Sequence, residues 1–191
     1  MSDAEPVRLA HLSCIHCGAA QFDADLLSAT VANINRSRPD LVLVAGNLTE
    51  HGYEWEYEEA QGYLDQIEAP LIVVPGSDDS RNVGFVHYEH LFGDRYRAHR
   101  LELPNARSRA IDTDGVTVVA LDSSEPDLAD GRIGREWYPW LRERLDAPTD
   151  VKVVLLHHHV VAIPGAGREA TVIQDAGDML ALLSELAVDV I

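Results

Sequence analysis

The sequence predicts an α/β fold in which mostly parallel strands alternate with helices. Three short apolar runs have the length and near-continuous hydrophobicity of buried strands: LVLVAG at 41–46, LIVVPG at 71–76 and VKVVLLH at 151–157. Longer amphipathic segments with apolar residues at helical spacing lie between such runs. Because this alternation is typical of a parallel sheet covered by helices, we expect one domain over residues 1–191.

The first half of the chain alternates regularly between strand and helix. The predicted order is strand 7–13, helix 22–38, strand 41–46, helix 53–67, strand 71–76 and helix 86–94. The first helix begins beside an aspartate that can cap it and is ended by Pro39, and Gly93 closes the short third helix. The second helix is acidic, so we expect a solvated face opposite an apolar stripe.

The second half of the chain begins with a β-rich region. The predicted order is strand 96–103, strand 107–122 with a hairpin turn at Asp114 and Gly115, helix 134–145, strand 151–157, helix 175–187 and a short strand over 188–191. Pro139 indicates either the first turn of its helix or a kink. The last strand has only four residues, and we expect it to leave an exposed sheet edge.

The charge of the chain argues against one class of partner. The formal net charge is −17, from 32 acidic and 15 basic residues. A surface of that sign disfavours sequence-independent binding to nucleic acid, which requires a basic face. No apolar run reaches transmembrane length and the first residues lack a signal-peptide pattern, so we expect no membrane partner and a cytoplasmic location.

Polar loops follow four of the predicted strands. They read SCIHCG, AGNLTEHG, VPGSDDS and LLHHHV. Sites in α/β proteins collect at the carboxyl ends of the strands, so we expect these loops to form one site. The only two cysteines of the chain, Cys14 and Cys17, lie in the first loop. Their spacing leaves open a metal site, a redox pair or the remains of another kind of site.

The order and spacing of these loops resemble the calcineurin-like metallophosphoesterase superfamily. Its motifs run D-x-H, G-D-x-x, G-N-H-D, H-H and G-H-x-H, and the segments HLSxIHxG, RPDLVLVAGxLTEHG, APLIVVPGxxDSRN and GRIGREWYPWLRERL also look like that family. The resemblance spans nearly the whole chain and extends to the cyclic-nucleotide phosphodiesterase-like branch. It implies an α/β sandwich with α-β-β-α layers and two divalent metals that activate water against a phosphoester.

The resemblance assigns a family role to four positions that this chain has substituted. Cys14 stands at the first aspartate of the motifs, and Asn47 stands at the aspartate that bridges the metals. Ser77 stands at the asparagine ligand, and Asp78 stands at the histidine beside the leaving group. We expect Asp78 to be solvated, because adjacent residues rarely point at one target.

Other positions match the family pattern. His16 and His157 match metal-ligand histidines, and His158 occupies the adjacent slot. Asp79 matches an aspartate that supports its loop rather than a metal. The G-H-x-H motif is expected just after 188–191, so the resemblance implies a C-terminally truncated sandwich that is missing its last strands.

The substitutions predict a degraded two-metal site. Neutral Asn47 binds a hard cation more weakly than a bridging carboxylate, and Asp78 adds negative charge beside a phosphate. We therefore expect a pseudoenzyme whose hydrolysis of phosphoesters is weak or absent, with a small phosphoester as the ligand of any active form. We expect either no metal or one ion, zinc or manganese, held weakly by His16 and His157.

Two alternatives remain open. A non-catalytic binding or regulatory module would use the phosphate pocket, or the exposed C-terminal edge covered by a second chain or by another copy in a homo-oligomer. A mononuclear zinc protein would use Cys14, His16, Cys17 and His157, which together approach a tetrahedral ligand set.

Overall fold

A computed structural model describes residues 7–102, 115–147, 150–165 and 172–191 of the chain. Its strands are β1 (Leu9–Leu12), β2 (Leu41–Ala45), β3 (Leu71–Val74), β4 (Arg97–Glu102), β5 (Gly115–Ala120) and β6 (Asp150–Leu155). Its helices are α1 (Ala24–Ser37), α2 (Glu54–Leu64), α3 (Gly84–Phe92), α4 (Tyr138–Arg144) and α5 (Ala176–Glu185). The predicted hairpin turn at Asp114 lies outside the described residues. Pro139 lies in the first turn of α4, which is one of its two predicted positions.

The strands form two sheets of three. In the first sheet β1, β2 and β3 are all parallel, with Leu9 paired to Leu41 and Val42 paired to Leu71. In the second sheet β5 pairs with β4 in antiparallel fashion and with β6 in parallel fashion. The short strand predicted over 188–191 is observed as a single parallel bridge between Val190 and Val153 of β6.

The two sheets pack face to face, and each sheet has helices on its outer side. Alternate residues of β2 divide between two clusters, since Leu43 shares a core with Val118 of β5 whereas Val44 shares a core with α1 and α2. On the other side, Val119 of β5 lies in a third cluster with α4 and α5. The order of layers is therefore helix, sheet, sheet, helix, as predicted.

The helices of the first layer follow their sequence signals. Asp23 caps α1, because its Oδ1 accepts a hydrogen bond of 2.9 Å from the Leu26 amide. The acidic helix α2 buries Tyr57 and Leu64 as the predicted stripe, but it also buries Glu56 completely. Within the described ranges, no helix has the length and apolarity needed to cross a membrane.

Candidate functional site

The loops that follow β1 and β2 run side by side. The Cys14 amide donates to the Gly46 carbonyl over 3.0 Å, and the His16 amide donates to the Asn47 carbonyl over 2.9 Å. Cys14, His16 and Asn47 have φ values of 56°, 53° and 50°, a left-handed conformation that is uncommon for residues other than glycine. The paired backbones hold these residues in that conformation and so fix the directions of their side chains.

Two glycines allow the loop after β3 to lie against the loop after β2. Gly46 has a φ of 73°, and a Cβ atom added there would lie 2.6 Å from the amide nitrogen of Gly76. A Cβ atom on Gly76 would lie 2.3 Å from Oδ1 of Asn47. Any larger side chain at either position would therefore push the Asn47 loop away from the loop after β3.

Asp79 ties the loop after β3 to the loop after β2. Its fully buried carboxylate accepts from the amides of Leu48, Thr49 and Gly76 over 3.1, 2.8 and 2.8 Å, and from the Thr49 hydroxyl over 2.8 Å. These four bonds confirm the prediction that Asp79 orders its loop. They also place the neighbouring Asp78 against the first two loops.

The three loops bring His16, Glu50 and Asp78 into one cluster. Nδ1 of His16 lies 3.0 Å from Oε2 of Glu50 and 3.5 Å from Oδ2 of Asp78. Within the described ranges, these are the three His, Cys, Asp or Glu residues whose candidate ligand atoms all lie within 4.8 Å of one another. Imidazole and carboxylate ligands together suit zinc or manganese.

The carboxylate of Asp78 is engaged on both oxygens. Its Oδ1 lies 2.7 Å from a guanidinium nitrogen of Arg81, and its Oδ2 accepts a hydrogen bond of 3.0 Å from the Asn47 amide group. The Asp78 backbone amide donates in return to Oδ1 of Asn47 over 3.1 Å. The prediction that Asp78 is solvated is therefore wrong, because its side chain is only 14% exposed and has three polar partners.

The environment of His16 favours its protonated form. A hydrogen bond with Cys14, followed by the negative charges of Asp78 and Glu50, raises the pKa of His16 above its ordinary value. Partial burial acts in the opposite direction. A cation bound to this imidazole therefore has to compete with a proton.

A sequence model of the family described as calcineurin-like phosphoesterase matches residues 7–191. The chain belongs to the calcineurin-like phosphoesterase family. A probable cyclic nucleotide phosphodiesterase of Synechococcus is 25% identical over 157 residues, which cover 82% of this chain and 57% of the relative. Another, from Rhodococcus erythropolis, is 30% identical over 165 residues, which cover 79% of this chain and 51% of the relative. The chain thus spans about half the length of these curated relatives.

Solved structures share the fold. A dimetal phosphatase from Danio rerio superposes with a TM-score of 0.67 and 15% identity, covering 95% of this chain and 78% of that chain. A purple acid phosphatase from yellow lupin gives a TM-score of 0.63 at 14% identity, covering 95% of this chain and 36% of that chain. These similarities confirm the predicted calcineurin-like α/β sandwich.

The two histidines at the H-H position of the family have different surroundings. Nδ1 of His157 lies 2.9 Å from the Ala45 carbonyl, so Nδ1 carries the proton, and His157 is outside the cluster of His16, Glu50 and Asp78. His158 is buried, with Nδ1 at 2.9 Å from the Ser123 hydroxyl and Nε2 at 3.2 Å from the Ala129 carbonyl. The suggestion that His158 is a metal ligand is therefore corrected, because both of its ring nitrogens are occupied.

Cys17 does not join the cluster either. It is fully buried in the core beneath α1 and α2, and burial raises the pKa of its thiol to about 12, assisted by Glu59. A metal requires the thiolate, which this environment disfavours. The structure thus does not assemble the proposed zinc set of Cys14, His16, Cys17 and His157. Ser77, at the family's asparagine position, lies half-buried in the loop after β3.

The two thiols are expected to differ in reactivity. Both cysteines lie in the described part of the chain and neither forms a disulfide. Native protein at pH 8 should incorporate one equivalent of a thiol reagent at half-buried Cys14, and Cys14→Ser should incorporate none until the chain is unfolded in urea. Rapid labelling of Cys17 in the native Cys14→Ser variant would contradict the burial of that thiol.

Two residues of the site were not identified from the sequence. Glu50 and Arg81 lie in or directly after the loops AGNLTEHG and VPGSDDS. The expectation that these loops meet could have identified them, because every ionisable residue near the end of a strand is then a candidate for the site. What the sequence could not show is which of these side chains turn inward.

Proposed function

We propose that this chain is a phosphodiesterase-type member of its family whose two-metal site is degraded, so that its hydrolysis of phosphoesters is weak or absent. One observation carries the proposal. Asp78, at the family position of the histidine beside the leaving group, is bonded to Arg81 and to Asn47. A carboxylate held in this way cannot donate a proton to a leaving oxygen at neutral pH as an imidazolium can.

The donor groups support one cation better than two. A divalent metal in such a site would polarise phosphoryl oxygens and activate water, and His16, Glu50 and Asp78 would hold it. A second ion needs a bridging carboxylate, and Asn47 offers a neutral amide whose nitrogen and oxygen are both bonded to Asp78. The residues present therefore fit a two-metal centre poorly.

The charges also disfavour a phosphoester at this place. Two like charges about 4 Å apart repel by roughly 1 kcal/mol in water and about 4 kcal/mol at an effective dielectric constant of 20. Asp78 would impose such a repulsion on a phosphate beside His16, because Arg81 neutralises it only in part. The names of the relatives support phosphodiesters as the ligand class, and the net charge of −17 supports the exclusion of nucleic acid.

Hydrolysis of bis(4-nitrophenyl) phosphate with excess Mn²⁺ tests the proposal. We expect wild-type turnover to equal that of His16→Ala and to be unchanged by EDTA. Restoring Cys14→Asp, Asn47→Asp, Ser77→Asn and Asp78→His together should increase the number of Mn²⁺ ions bound per chain. Wild-type turnover that both EDTA and His16→Ala abolish, at a rate of about 1 s⁻¹ or more, would contradict the proposal.

A further inference from the structure

We infer that Arg81 is the resident cation of this site and keeps divalent metal ions out of the cluster of His16, Glu50 and Asp78. The inference rests on the proposed loss of the two-metal centre, and it assigns the positive charge of the site to a side chain of the chain itself. It concerns binding of a cation and needs no catalytic step.

The guanidinium of Arg81 contacts both of the loops that carry carboxylates. Its Nη2 lies 2.7 Å from Oδ1 of Asp78, and its Nη1 donates to the Glu50 carbonyl oxygen over 3.4 Å. The Arg81 side chain is 43% exposed whereas that of Asp78 is 14% exposed. The positive charge therefore lies at the mouth of the cluster, directly in front of the most buried carboxylate.

The backbone fixes Arg81 in this place. Arg81 begins a short 3₁₀ turn, and a Cβ atom added to Gly52, which has a φ of 73°, would lie 2.3 Å from the Arg81 carbonyl oxygen. The side chain of the next residue, Asn82, donates to the His51 carbonyl over 3.0 Å. The loop after β2 thus holds the Arg81 backbone closely, which reduces the entropy lost when the side chain pairs with Asp78.

Asn47 closes the remaining side of the carboxylate. Because Asn47 and Asp78 exchange two hydrogen bonds, the Asn47 amide nitrogen faces Oδ2 of Asp78. A metal ion that binds Asp78 competes with a charge-assisted bond to Arg81 and with the bond to Asn47. It must also approach the positively charged guanidinium of Arg81. Removing the guanidinium frees Oδ1 of Asp78 and takes away the positive charge, and it leaves the three ligand side chains in place.

Titration with Mn²⁺, followed by the electron paramagnetic resonance signal of the free ion, tests this assignment. We expect Arg81→Met to bind one Mn²⁺ per chain at least about tenfold more tightly than the wild type. Arg81→Lys, which keeps the charge, should stay close to the wild type, and Arg81→Met/Asp78→Asn should lose the gain. Arg132→Met, which removes a half-exposed arginine 3.8 Å from Glu136, controls for the change in net charge.

The outcomes separate this inference from the proposed function. Wild-type protein that binds two Mn²⁺ ions per chain would contradict the degraded two-metal site. One weakly bound ion in the wild type, with the same affinity in Arg81→Met, would overturn the role of Arg81 alone. An equal gain in Arg132→Met would also overturn it. If the methionine variant fails to unfold cooperatively, Arg81→Gln provides the same test with a side chain of similar length.

Discussion

Asp79→Asn is expected to lower the free energy of unfolding by about 2–4 kcal/mol. Each oxygen of the buried carboxylate accepts two hydrogen bonds, from Thr49 on one side and from Leu48 and Gly76 on the other. The asparagine NH₂ group must replace one of these oxygens, and it would then face donors instead of acceptors. Urea denaturation at pH 7.5, monitored by circular dichroism, measures the loss.

The two orientations of the new amide differ in their consequences. An NH₂ group in place of Oδ2 opposes two backbone amides, those of Leu48 and Gly76, which cannot turn away. An NH₂ group in place of Oδ1 opposes the Thr49 amide, but the Thr49 hydroxyl can rotate and accept. We therefore expect the asparagine to place its NH₂ group beside Thr49. Asp79→Ala leaves all four donors without the carboxylate, and we expect it to lose more stability than Asp79→Asn.

Exposed Asp65 at the end of α2 provides the matched control. Asp65→Asn makes the same chemical change on the surface and should alter the free energy of unfolding by less than about 0.5 kcal/mol. If Asp65→Asn and Asp79→Asn changed the free energy of unfolding equally, the four hydrogen bonds of Asp79 would add no stability, and the loss of one negative charge would explain both effects. The comparison also removes any general benefit of lowering the negative charge of the chain.

The strands and their loops were predictable because burial leaves a continuous apolar signal. Strand β2 reads LVLVA and is buried on both faces, which explains why a run without polar interruption marks it. The edge strand β1 carries His11 and has a mixed burial pattern, and its predicted bounds are correspondingly wider than the observed Leu9–Leu12. The rule that sites collect at the carboxyl ends of strands then located the cluster.

The inward side chains were not predictable, because the loop conformations depend on residues that carry no signal. Cys14, His16 and Asn47 adopt left-handed conformations without being glycines, and only the pairing of two distant loops holds them there. A sequence pattern does not show such pairing. The bond between Asp78 and Arg81 was not predicted either, because the sequence does not show that the Arg81 side chain turns toward this carboxylate.

His158 is expected to make stability depend on pH between about 6.5 and 4. Burial, together with the charge of His157, lowers the pKa of His158 to about 4 from the ordinary value of 6.5. Because the unfolded chain binds the proton more readily than the folded chain, the contribution of neutral His158 is complete above pH 6.5. It is lost as the pH falls toward 4, and the loss is on the order of 3 kcal/mol.

The structure explains why the folded state excludes this proton. The Ala129 carbonyl can only accept, so Nε2 of His158 is the donor and Nδ1 must accept from the Ser123 hydroxyl. Protonation of Nδ1 would turn the Ser123 hydroxyl from donor to acceptor and would leave a charged imidazolium in a buried site. The packing leaves little room for adjustment, since a Cβ atom on Gly131 would lie 2.5 Å from Cγ of His158.

His158→Gln separates the pH dependence caused by His158 from that caused by buried carboxyl groups. Burial raises the pKa of Asp122, and this carboxyl group opposes His158 by favouring the folded state as the pH falls. Urea denaturation should show that His158→Gln is less stable than the wild type by about 1–3 kcal/mol at pH 7.5. This difference in the free energy of unfolding should be smaller at pH 4.5. Exposed His90→Gln in α3 should keep a constant gap. A gap between the wild type and His158→Gln that is equal at both pH values would mean that His158 takes up its proton as readily in the fold as in the unfolded chain.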